Sequence, residues 1–475
     1  MWELDRYKDN IAFLDEEGTR LTYAQVVDEG QKIADAAGGR CLSFILAKNS
    51  IGSVLGYVSF LTHGIVPAML SANLESELLE HLLKVYQPEI MWLPKDKAEI
   101  LSGILPKHTK EYETHGYMLL KLVWPTGDSK RALYDELALL LTTSGSTGSP
   151  KFVRQSYDNI LSNAQSISSY LRLDATEKPI TTLPMNYTYG LSIINSHLLV
   201  GATILITDKS LMQKEFWQFF KEENATSFGG VPYTYEILDK LRFMRMDLPS
   251  LRTMTQAGGK LSVELHGKFA GYAAGSGKSF VVMYGQCEAT ARMAYLPPEK
   301  ALEKKGAMGI AIPGGEFRLV DDTGNAIHQP GVPGELVYSG KNVTLGYAEC
   351  YDDLAKGDER GGVLQTGDIA QRDEDGYYYI VGRKKRFLKI YGNRVNLDEI
   401  DQMIKGKFAA EVACGGVDDK LYIFLTEAAQ ADEIRDYVAG KTKLNPAAFK
   451  TVVLPQIPKN EAGKTLYKEL EKYYG

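Results

Sequence analysis

Cysteine is scarce in this sequence, and its placement argues against two kinds of site. The chain has 4 cysteines among 475 residues, and none of them forms a Cys-X-X-Cys pair. No histidine stands near them at the spacing that a zinc site requires. A disulfide-stapled secreted domain and a structural zinc site are therefore both disfavoured, and the sequence favours a reducing compartment. The four residues are Cys41, Cys287, Cys350 and Cys414.

An excess of positive charge and a long apolar run are also missing. The net charge is −6, so no basic field favours nucleic acid as a partner. The opening residues "MWELDRYKDN" have neither the basic nor the apolar segment of a signal peptide. The most apolar stretch, residues 51–70, is interrupted by His63, Gly64 and Pro67 too early to span a bilayer. We expect a cytoplasmic protein without membrane insertion, in which this stretch forms a buried helix and then a strand.

Short apolar runs alternate with amphipathic segments of helical length along most of the chain. "LSFILA" and "FVVMYG" are typical of buried strands, whereas "KEFWQFFKEEN" repeats apolar positions at helical spacing. This alternation predicts an α/β fold with much parallel sheet. We expect a large N-terminal α/β domain over residues 1–383, with a β-rich subdomain that begins near residues 331–340. A small, mobile C-terminal α+β domain is expected over residues 384–475.

A loop rich in glycine and hydroxyl groups follows the leucines at residues 139–141. Residues 144–149 are all Gly, Ser or Thr, and Lys151 closes the loop. Backbone N–H groups in such a loop can form an anion-binding nest, to which hydroxyls add donors and a lysine adds positive charge. The alternative is an ordinary surface loop. The predicted phosphate-binding residues are Thr143, Ser144, Gly145, Ser146, Thr147, Gly148 and Lys151.

Neither this loop nor a second glycine-rich stretch fits the Walker A motif, which reads Gly-X-X-X-X-Gly-Lys-Ser/Thr. The second stretch, "YAAGSGKS", has Tyr272 where the first glycine belongs, and a helix is predicted before it where the motif needs a strand. We interpret it as a turn that leads into the strand "SFVVMYG".

The loop sequence "LTTSGSTGSPK" closely resembles the signature loop of the adenylate-forming enzymes. These include acyl-CoA synthetases, adenylation domains of peptide synthetases and firefly luciferase. Further segments resemble the family's successive motifs, in the same order, along almost the whole chain. They include "LPMNYTYG", "GGVPYTYEIL", "MYGQCEAT", "LQTGDIA", "GRKKRFLKIYGNRVNLDEID" and "PKNEAGKTLYKEL". By this resemblance the glycine-rich loop is expected to wrap the β- and γ-phosphates of ATP.

The resemblance implies a reaction between a carboxylate and the α-phosphate of ATP, which gives an acyl-adenylate and pyrophosphate. Two like charges at ~4 Å repel by about 4 kcal/mol at an effective dielectric constant of 20, so positive charge and Mg²⁺ are required. Lys464 matches the adenylation lysine that bridges the two reactants, although a lysine near the carboxy terminus is otherwise usually a surface residue. Glu288 matches the glutamate that helps to hold Mg²⁺. Cys287 stands where the family usually has threonine, and we interpret it as a small buried residue and not as a nucleophile.

Four further residues match positions that contact the nucleotide. Asp368 matches the aspartate that accepts hydrogen bonds from the ribose hydroxyls, and a carboxylate suits a diol because it only accepts. Arg383 matches an arginine that also contacts the nucleotide. Tyr284, followed by Gly285, matches the residue that packs against the adenine.

The basic segment "GRKKRFLK" has two interpretations. Read alone, it resembles a nuclear-localisation or nucleic-acid-binding patch. The acidic chain and the register of the family motif argue against that. In this register Lys385 is the hinge between the domains, and Lys389 is a second catalytic lysine near the nucleotide. Gly392 matches a glycine where a pantetheine arm passes close to the backbone, which any Cβ would obstruct.

The acyl pocket is expected, by the same resemblance, at Tyr187 and Gly190 in "LPMNYTYG" and at Gly258 and Gly259 in "QAGGKLS". Tyr187 stands where acyl-CoA synthetases commonly have a gating histidine. Amino-acid-activating relatives carry an aspartate in the first segment, and none occurs here. We therefore expect a small carboxylic acid without a free α-amino group. Lys260 either faces solvent or pairs a polar substituent of that acid.

The leading interpretation is an ATP-dependent acid–thiol ligase that uses ATP, Mg²⁺ and either coenzyme A or the phosphopantetheine of a separate carrier protein. No motif legible in the sequence distinguishes these two acceptors. A different class is a nucleotide-binding regulatory protein that has lost catalysis. The presence of Lys151, Glu288, Asp368, Arg383 and Lys464 argues against it. A P-loop phosphotransferase is disfavoured because its motif is missing.

Overall fold

The computed structural model describes residues 1–125, 131–142, 151–384, 386–391, 393–408, 410–460 and 463–474. The helices found there are α1 (Tyr23–Ala37), α2 (Ile51–Thr62), α3 (Ser76–Tyr86), α4 (Lys95–Ile100), α5 (Tyr157–Leu171), α6 (Thr188–Leu199), α7 (Lys214–Glu222), α8 (Pro232–Lys240), α9 (Val263–Gly275), α10 (Leu397–Lys407), α11 (Ala431–Thr442) and α12 (Tyr467–Leu470).

The strands of the same residues form six sheets. They are β1 (Ile11–Asp15), β2 (Arg20–Thr22), β3 (Leu42–Ala47), β4 (Val66–Ser71), β5 (Ile90–Pro94), β6 (Lys107–Thr114), β7 (Tyr117–Val123), β8 (Leu137–Thr142), β9 (Phe152–Ser156), β10 (Ile204–Ile206), β11 (Ser227–Gly230), β12 (Thr253–Gln256), β13 (Ser279–Tyr284), β14 (Ala294–Tyr295), β15 (Ile310–Ala311), β16 (Gly315–Val320), β17 (Ala326–Ile327), β18 (Gly334–Gly340), β19 (Gly346–Ala348), β20 (Val363–Arg372), β21 (Tyr378–Arg383), β22 (Phe387–Ile390), β23 (Asn393–Asn396), β24 (Val412–Val417), β25 (Lys420–Leu425) and β26 (Phe449–Val453).

The first large sheet has eight strands in the order β19-β9-β8-β4-β3-β5-β7-β6. Its centre is parallel, whereas its edges are antiparallel. The apolar stretch at residues 51–70 forms α2 and β4, as predicted, and α2 is buried along almost its whole length. Strand β8 pairs antiparallel with β9. The glycine-rich loop therefore joins two antiparallel strands, whereas a Walker A loop joins a strand to a helix.

Two five-stranded sheets carry the other predicted nucleotide-binding segments. The order β11-β12-β13-β14-β15 begins with three parallel strands, and β17-β16-β18-β20-β21 is antiparallel throughout. The antiparallel sheet is the predicted β-rich subdomain, and it begins somewhat earlier than expected, at Gly315. The stretch "YAAGSGKS" ends α9 and turns into β13, as interpreted from the sequence. A separate small sheet has the order β10-β1-β2.

The last part of the chain has its own sheets and its own core. Strands β22 and β23 form a two-stranded hairpin, and β24-β25-β26 form a three-stranded mixed sheet. Apolar side chains of α10, α11 and the three-stranded sheet pack together, among them Ile400, Ile404, Ile423 and Ile434. This arrangement agrees with the predicted α+β domain, while the boundary at residues 383 and 384 stays a prediction.

Some predicted residues lie outside the described residues. They are Thr143, Ser144, Gly145, Ser146, Thr147 and Gly148 of the glycine-rich loop, the hinge residue Lys385, and Gly392. Across the part of the chain that the structure describes, no helix is both long enough and apolar enough to cross a bilayer.

Candidate active site

Asp368 lies at the point where the antiparallel sheet faces the end of β13. It is 6% exposed, and on β20 it pairs in register with Arg383 of β21. The Nε atom of Arg383 lies 3.5 Å from Oδ1 of Asp368. The hydroxyl of Tyr284 donates to Oδ2 of the same carboxylate, and Nε2 of Gln286 donates to that oxygen at 2.9 Å. Three of the predicted nucleotide-binding residues are therefore brought together around one carboxylate.

The partners of Asp368 offset the cost of burying its charge. Burial raises the pKa of Asp368, while the Arg383 guanidinium and the hydrogen bonds from Tyr284 and Gln286 act in the opposite direction. Sequence reasoning missed Gln286, which also donates to the carbonyl of Thr366 at 3.1 Å. Its position between Tyr284 and Glu288 in "YGQCEAT" was the available signal. The fixed carboxylate can accept hydrogen bonds from a ribose diol.

Glu288 lies in a short 3₁₀-helix just after β13, and its carboxylate is held by a tyrosine. The hydroxyl of Tyr347 donates to Oε1 of Glu288 at 2.6 Å. The Tyr347 ring also has Nζ of Lys151 at 3.8 Å from its centroid and the Arg360 guanidinium at 4.8 Å. Tyr347 thus joins the lysine that closes the phosphate loop to the glutamate predicted to hold the metal.

Tyr347 and Arg360 were not predicted as site residues from the sequence. Tyr347 stands in "LGY", a segment that resembles a family motif, but its contact with Glu288 spans 59 residues. The guanidinium of Arg360 donates to the backbone carbonyl of Glu288 at 3.1 Å. Both residues are therefore positioned by the tertiary fold to support the glutamate.

The donors present fit Mg²⁺ bound mainly through phosphate. No group of three or more His, Cys, Asp or Glu residues that could hold a metal ion occurs within the described ranges. Glu288 supplies one carboxylate, and Lys151 lies beside the same tyrosine. Mg²⁺ commonly takes one or two carboxylates and fills its remaining positions with substrate phosphates and water. One carboxylate beside a phosphate-binding lysine matches that requirement.

Gly285 permits the tight turn between Tyr284 and the 3₁₀-helix of Glu288. A Cβ at this position would lie 1.5 Å from the backbone oxygen of Ala291. Any side chain would therefore displace the turn, and with it the two residues on either side. The need for glycine here follows from backbone contact within the protein.

Lys464 is presented by a tight turn near the carboxy terminus. Oδ1 of Asn460 accepts from the backbone N–H of Lys464 at 2.8 Å, and the N–H of Asn460 donates to the Lys464 carbonyl at 2.9 Å. Gly463 has φ +73°, and its Cβ position would lie 3.3 Å from the side chain of Tyr233 on α8. The ammonium of Lys459 lies 4.7 Å from the centroid of the same ring. The turn is thus docked onto the large domain.

This docking brings Lys464 to the predicted catalytic groups. Partial removal from water lowers the pKa of Lys464, and the Arg383 guanidinium lowers it further, whereas Cys287, Glu288 and Asp368 act in the opposite direction. The residue nevertheless remains exposed to solvent. Lys464 thus interacts electrostatically with Asp368, predicted to bind the ribose, and with Glu288, predicted to hold Mg²⁺.

The Cys287 thiol is suited to packing and not to nucleophilic attack. Burial raises the pKa of Cys287 to about 12, and the Glu288 carboxylate contributes to the rise. A thiolate is needed for nucleophilic chemistry, and this environment disfavours it. The observation agrees with the interpretation of Cys287 as a small residue in the site.

Lys389 lies in the hairpin of β22 and β23. Its side chain is exposed on β22, and its backbone N–H donates to Oδ1 of Asp418 at 2.8 Å. Its catalytic role stays a prediction.

The predicted acyl-pocket residues lie around the start of α6. Gly258 has φ +85°, and a Cβ there would lie 2.8 Å from the hydroxyl of Tyr187. A Cβ at Gly259 would lie 3.1 Å from the side chain of Pro232. Gly190 differs from these two glycines, because a Cβ there would lie 2.4 Å from the carbonyl oxygen of Pro184. Glycine is therefore needed at this position for the close packing of α6 against the preceding backbone.

Lys260 does not enter this pocket. Its ammonium donates to the carbonyl oxygen of Ile380 at 3.0 Å, and the residue is exposed. The sequence left two interpretations of Lys260 open, and the structure agrees with the one in which this residue faces solvent.

The chain is similar in sequence and in fold to known proteins. The sequence model of the family described as "AMP-binding enzyme" matches residues 2–348. The chain is 27% identical to the probable CoA ligase CCL9 of Humulus lupulus, over 96% of this chain and 92% of that protein. Its fold is similar to that of o-succinylbenzoate coenzyme A synthetase (MenE) of Bacillus subtilis in complex with AMP, with a TM-score of 0.80 at 21% identity over 98% and 97% of the two chains. For the complex of that synthetase with ATP and magnesium ion, the TM-score is 0.77 at 20% identity over 98% of both chains. These likenesses confirm the predicted fold.

Proposed function

The chain belongs to the AMP-binding enzyme family, and from this premise we propose that it is an ATP-dependent carboxylic acid ligase that makes an acyl thioester through an acyl-adenylate. The observation that carries the proposal is the position of Lys464, which lies within electrostatic reach of Arg383, Glu288 and Asp368. A lysine placed there can neutralise charge on the two anions that must meet.

In the first half-reaction, a carboxylate oxygen of the acid attacks the α-phosphorus of ATP. The new bond joins that oxygen to phosphorus, and the bond between the α-phosphorus and the bridging oxygen breaks, so that pyrophosphate leaves with the electron pair. Lys464 holds the carboxylate against the α-phosphate, while Asp368 fixes the ribose and Tyr284 borders the adenine. Their contribution is orientation and charge stabilisation.

Mg²⁺, when bound, neutralises the phosphate charge and the leaving pyrophosphate. Glu288 would hold it, with Tyr347 fixing the carboxylate through the 2.6 Å hydrogen bond. The ammonium of Lys151, which closes the predicted phosphate loop, lies 3.8 Å from the centroid of the Tyr347 ring.

In the second half-reaction, a thiol attacks the acyl carbon and AMP leaves with the original carboxylate oxygen. Coenzyme A is the acceptor that we propose, because the relative CCL9 is named as a probable CoA ligase. A carrier-protein phosphopantetheine is the alternative acceptor from the sequence. A turn of residues 384–475 about Lys385, with Gly392 beside the pantetheine, stays part of the proposal.

The acid itself is proposed to lack a free α-amino group. The segment that begins α6 has no carboxylate that could pair an ammonium. The scattered cysteines, none of them in a Cys-X-X-Cys pair, support a cytoplasmic location, which is also a proposal.

The test is to incubate the protein with ATP, Mg²⁺ and a panel of carboxylic acids and amino acids, and to measure pyrophosphate release with and without coenzyme A. Acid-dependent pyrophosphate and AMP, together with an acyl-CoA detected by mass spectrometry, are expected. A protein that binds ATP yet gives no pyrophosphate with any acid would be a regulatory protein instead. Efficient use of a common amino acid would contradict the amino-group restriction alone.

A further inference from the structure

Arg292 is a buried cation beside the acyl pocket, and sequence reasoning did not select it. The residue is 1% exposed. Its guanidinium carbon lies 4.1 Å from the centroid of the Tyr189 ring, and one terminal nitrogen donates to Oγ of Ser192 at 3.1 Å. The other terminal nitrogen meets the sulfur of Met283. A thioether is a weak acceptor, and Nε of Arg292 is buried without a hydrogen-bond partner in the structure.

A second buried arginine shows how this chain holds such a charge when its role is structural. The side chain of Arg154 is 0% exposed, and its guanidinium forms an ion pair with Glu359. It also donates to the backbone carbonyls of Tyr347 at 3.0 Å and Leu345 at 3.2 Å. Arg292 has no ion pair to a carboxylate among the described residues. Because a buried charge is costly unless an opposite charge or strong hydrogen bonds compensate it, Arg292 lacks a partner that Arg154 has.

The missing partner would lie on the acyl side of the reacting centre. Burial raises the pKa of Tyr187, and the Cys287 thiol adds to the rise while the Arg292 guanidinium opposes it. The ring of Tyr187 lies 6.4 Å from that of Tyr189, over which the Arg292 guanidinium lies at 4.1 Å, so Tyr189 stands between the predicted acyl pocket and Arg292. An acid activated at Lys464 and extending past Tyr187 would point its far end towards Arg292.

Aromatic side chains surround Arg292 and Met283. Tyr170 and Tyr295 stack with ring centroids 4.3 Å apart, and the hydroxyl of Tyr170 donates to the sulfur of Met283 at 3.1 Å. These three residues and Tyr189 belong to one apolar cluster, which also contains Tyr187 of the predicted acyl pocket.

We propose that Arg292 binds the second carboxylate of a short dicarboxylic acid, and so selects diacids over monoacids. This rests on the proposed function, since it names the substrate class of the same site. Nε and a terminal nitrogen of the guanidinium can donate to one carboxylate in parallel. The same positive charge repels an ammonium, which agrees with the exclusion of amino acids.

The test compares diacids with monoacids of equal chain length: malonate with propionate, succinate with butyrate, and glutarate with pentanoate. Pyrophosphate release is measured with each acid for the parent protein, Arg292→Lys and Arg292→Met. In the parent, kcat/KM for at least one diacid should exceed that of its matched monoacid. Arg292→Met should lower that ratio about 100-fold, while Arg292→Lys should retain part of the preference.

Arg154→Met is the matched control, because it removes a buried arginine whose carboxylate partner is within the protein. It should lower the melting temperature without changing the ratio of diacid to monoacid activity. A parent protein that prefers the monoacid of every pair would overturn the inference while leaving the ligase function intact. So would an unchanged ratio in a folded Arg292→Met. If no acid of either class gives pyrophosphate, the proposed function itself fails.

Discussion

The nucleotide side and the acyl side of the site treat buried charge in different ways. On the nucleotide side, Asp368 is bound by Arg383, Tyr284 and Gln286, and Glu288 is bound by Tyr347. On the acyl side, the guanidinium of Arg292 meets a ring, a hydroxyl and a sulfur. The charges on the nucleotide side thus have partners within the protein, whereas Arg292 on the acyl side has no carboxylate partner among the described residues. Changes on each side should therefore affect different kinetic constants.

Removal of Lys464 should have the largest effect, because this residue serves both sides at once. Lys464→Ala should lower the rate of acyl-adenylate formation about 1,000-fold, since one charge at the developing transition state is lost. The variant should still convert supplied acyl-adenylate and thiol to thioester. The measurement is AMP release from synthetic acyl-adenylate beside pyrophosphate release from ATP. Lys468→Ala, an exposed lysine nearby, is the control and should behave as the parent does.

If Lys464→Ala loses both half-reactions equally, the two-step assignment of this lysine is wrong. Gly392→Leu offers the converse change. It should make adenylate normally and obstruct the thiol step.

Asp368→Asn should separate the two sides. The amide cannot accept as the carboxylate does, so kcat/KM for ATP should fall about 10- to 100-fold, with the KM for the acid little changed. The ribose contact would then be confirmed as a nucleotide-side interaction. Asp322→Asn, on an exposed turn, is the control. An equal loss of affinity for the acid would show that the two sides are not independent.

How much of this site could be predicted depended on how far apart in sequence the contacting residues lie. Asp368, Glu288 and Lys464 each carry a local motif, and the structure places them in one region. Tyr347 and Arg292 could not be selected in that way. The contact of Tyr347 with Glu288 spans 59 residues, and that of Arg292 with Ser192 spans 100. Such pairs are set by sheet packing, which a single sequence does not reveal.

The same reasoning explains what was predictable in the fold. Residues 51–70 are predominantly apolar because α2 and β4 are buried, so composition alone indicated both elements. The docking of Gly463 onto Tyr233 had no such signal, because a glycine near an exposed lysine is common in any turn.

The pH dependence of adenylation should report the charge of Lys464. The pKa of Lys464 is lowered from its ordinary value, and the reaction needs the protonated form. Activity is therefore complete below that pKa and is lost as the pH rises through it, by about tenfold per pH unit thereafter. Lys464→Arg should remove this alkaline limb, because a guanidinium stays charged. If the loss of activity at alkaline pH persists unchanged in the arginine variant, a group other than Lys464 causes that loss.

Tyr347→Phe should have the smallest effect, and this effect should be confined to the Mg²⁺ concentration that the enzyme requires. Without the hydroxyl, the Glu288 carboxylate loses one fixing hydrogen bond, and half-saturation with Mg²⁺ should require about 3- to 10-fold more metal. Tyr338→Phe is the matched control, because its hydroxyl bonds Asn342 within the core at 2.8 Å. That control should lower thermal stability and leave the Mg²⁺ requirement as it is. If the Mg²⁺ requirement rises equally in both variants, Tyr347 has no specific role in supporting Glu288.

The central claim, an acyl-adenylate intermediate, is tested most directly by following the oxygen of the acid. The protein is given a carboxylic acid labelled with oxygen-18 in both carboxylate oxygens, together with ATP, Mg²⁺ and coenzyme A. Because the carboxylate oxygen bonds to the α-phosphorus and stays there when the thiol displaces AMP, each AMP should carry one labelled oxygen. Pyrophosphate should carry none. Label found in inorganic phosphate alongside ADP, or unlabelled AMP formed with the thioester, would contradict the account.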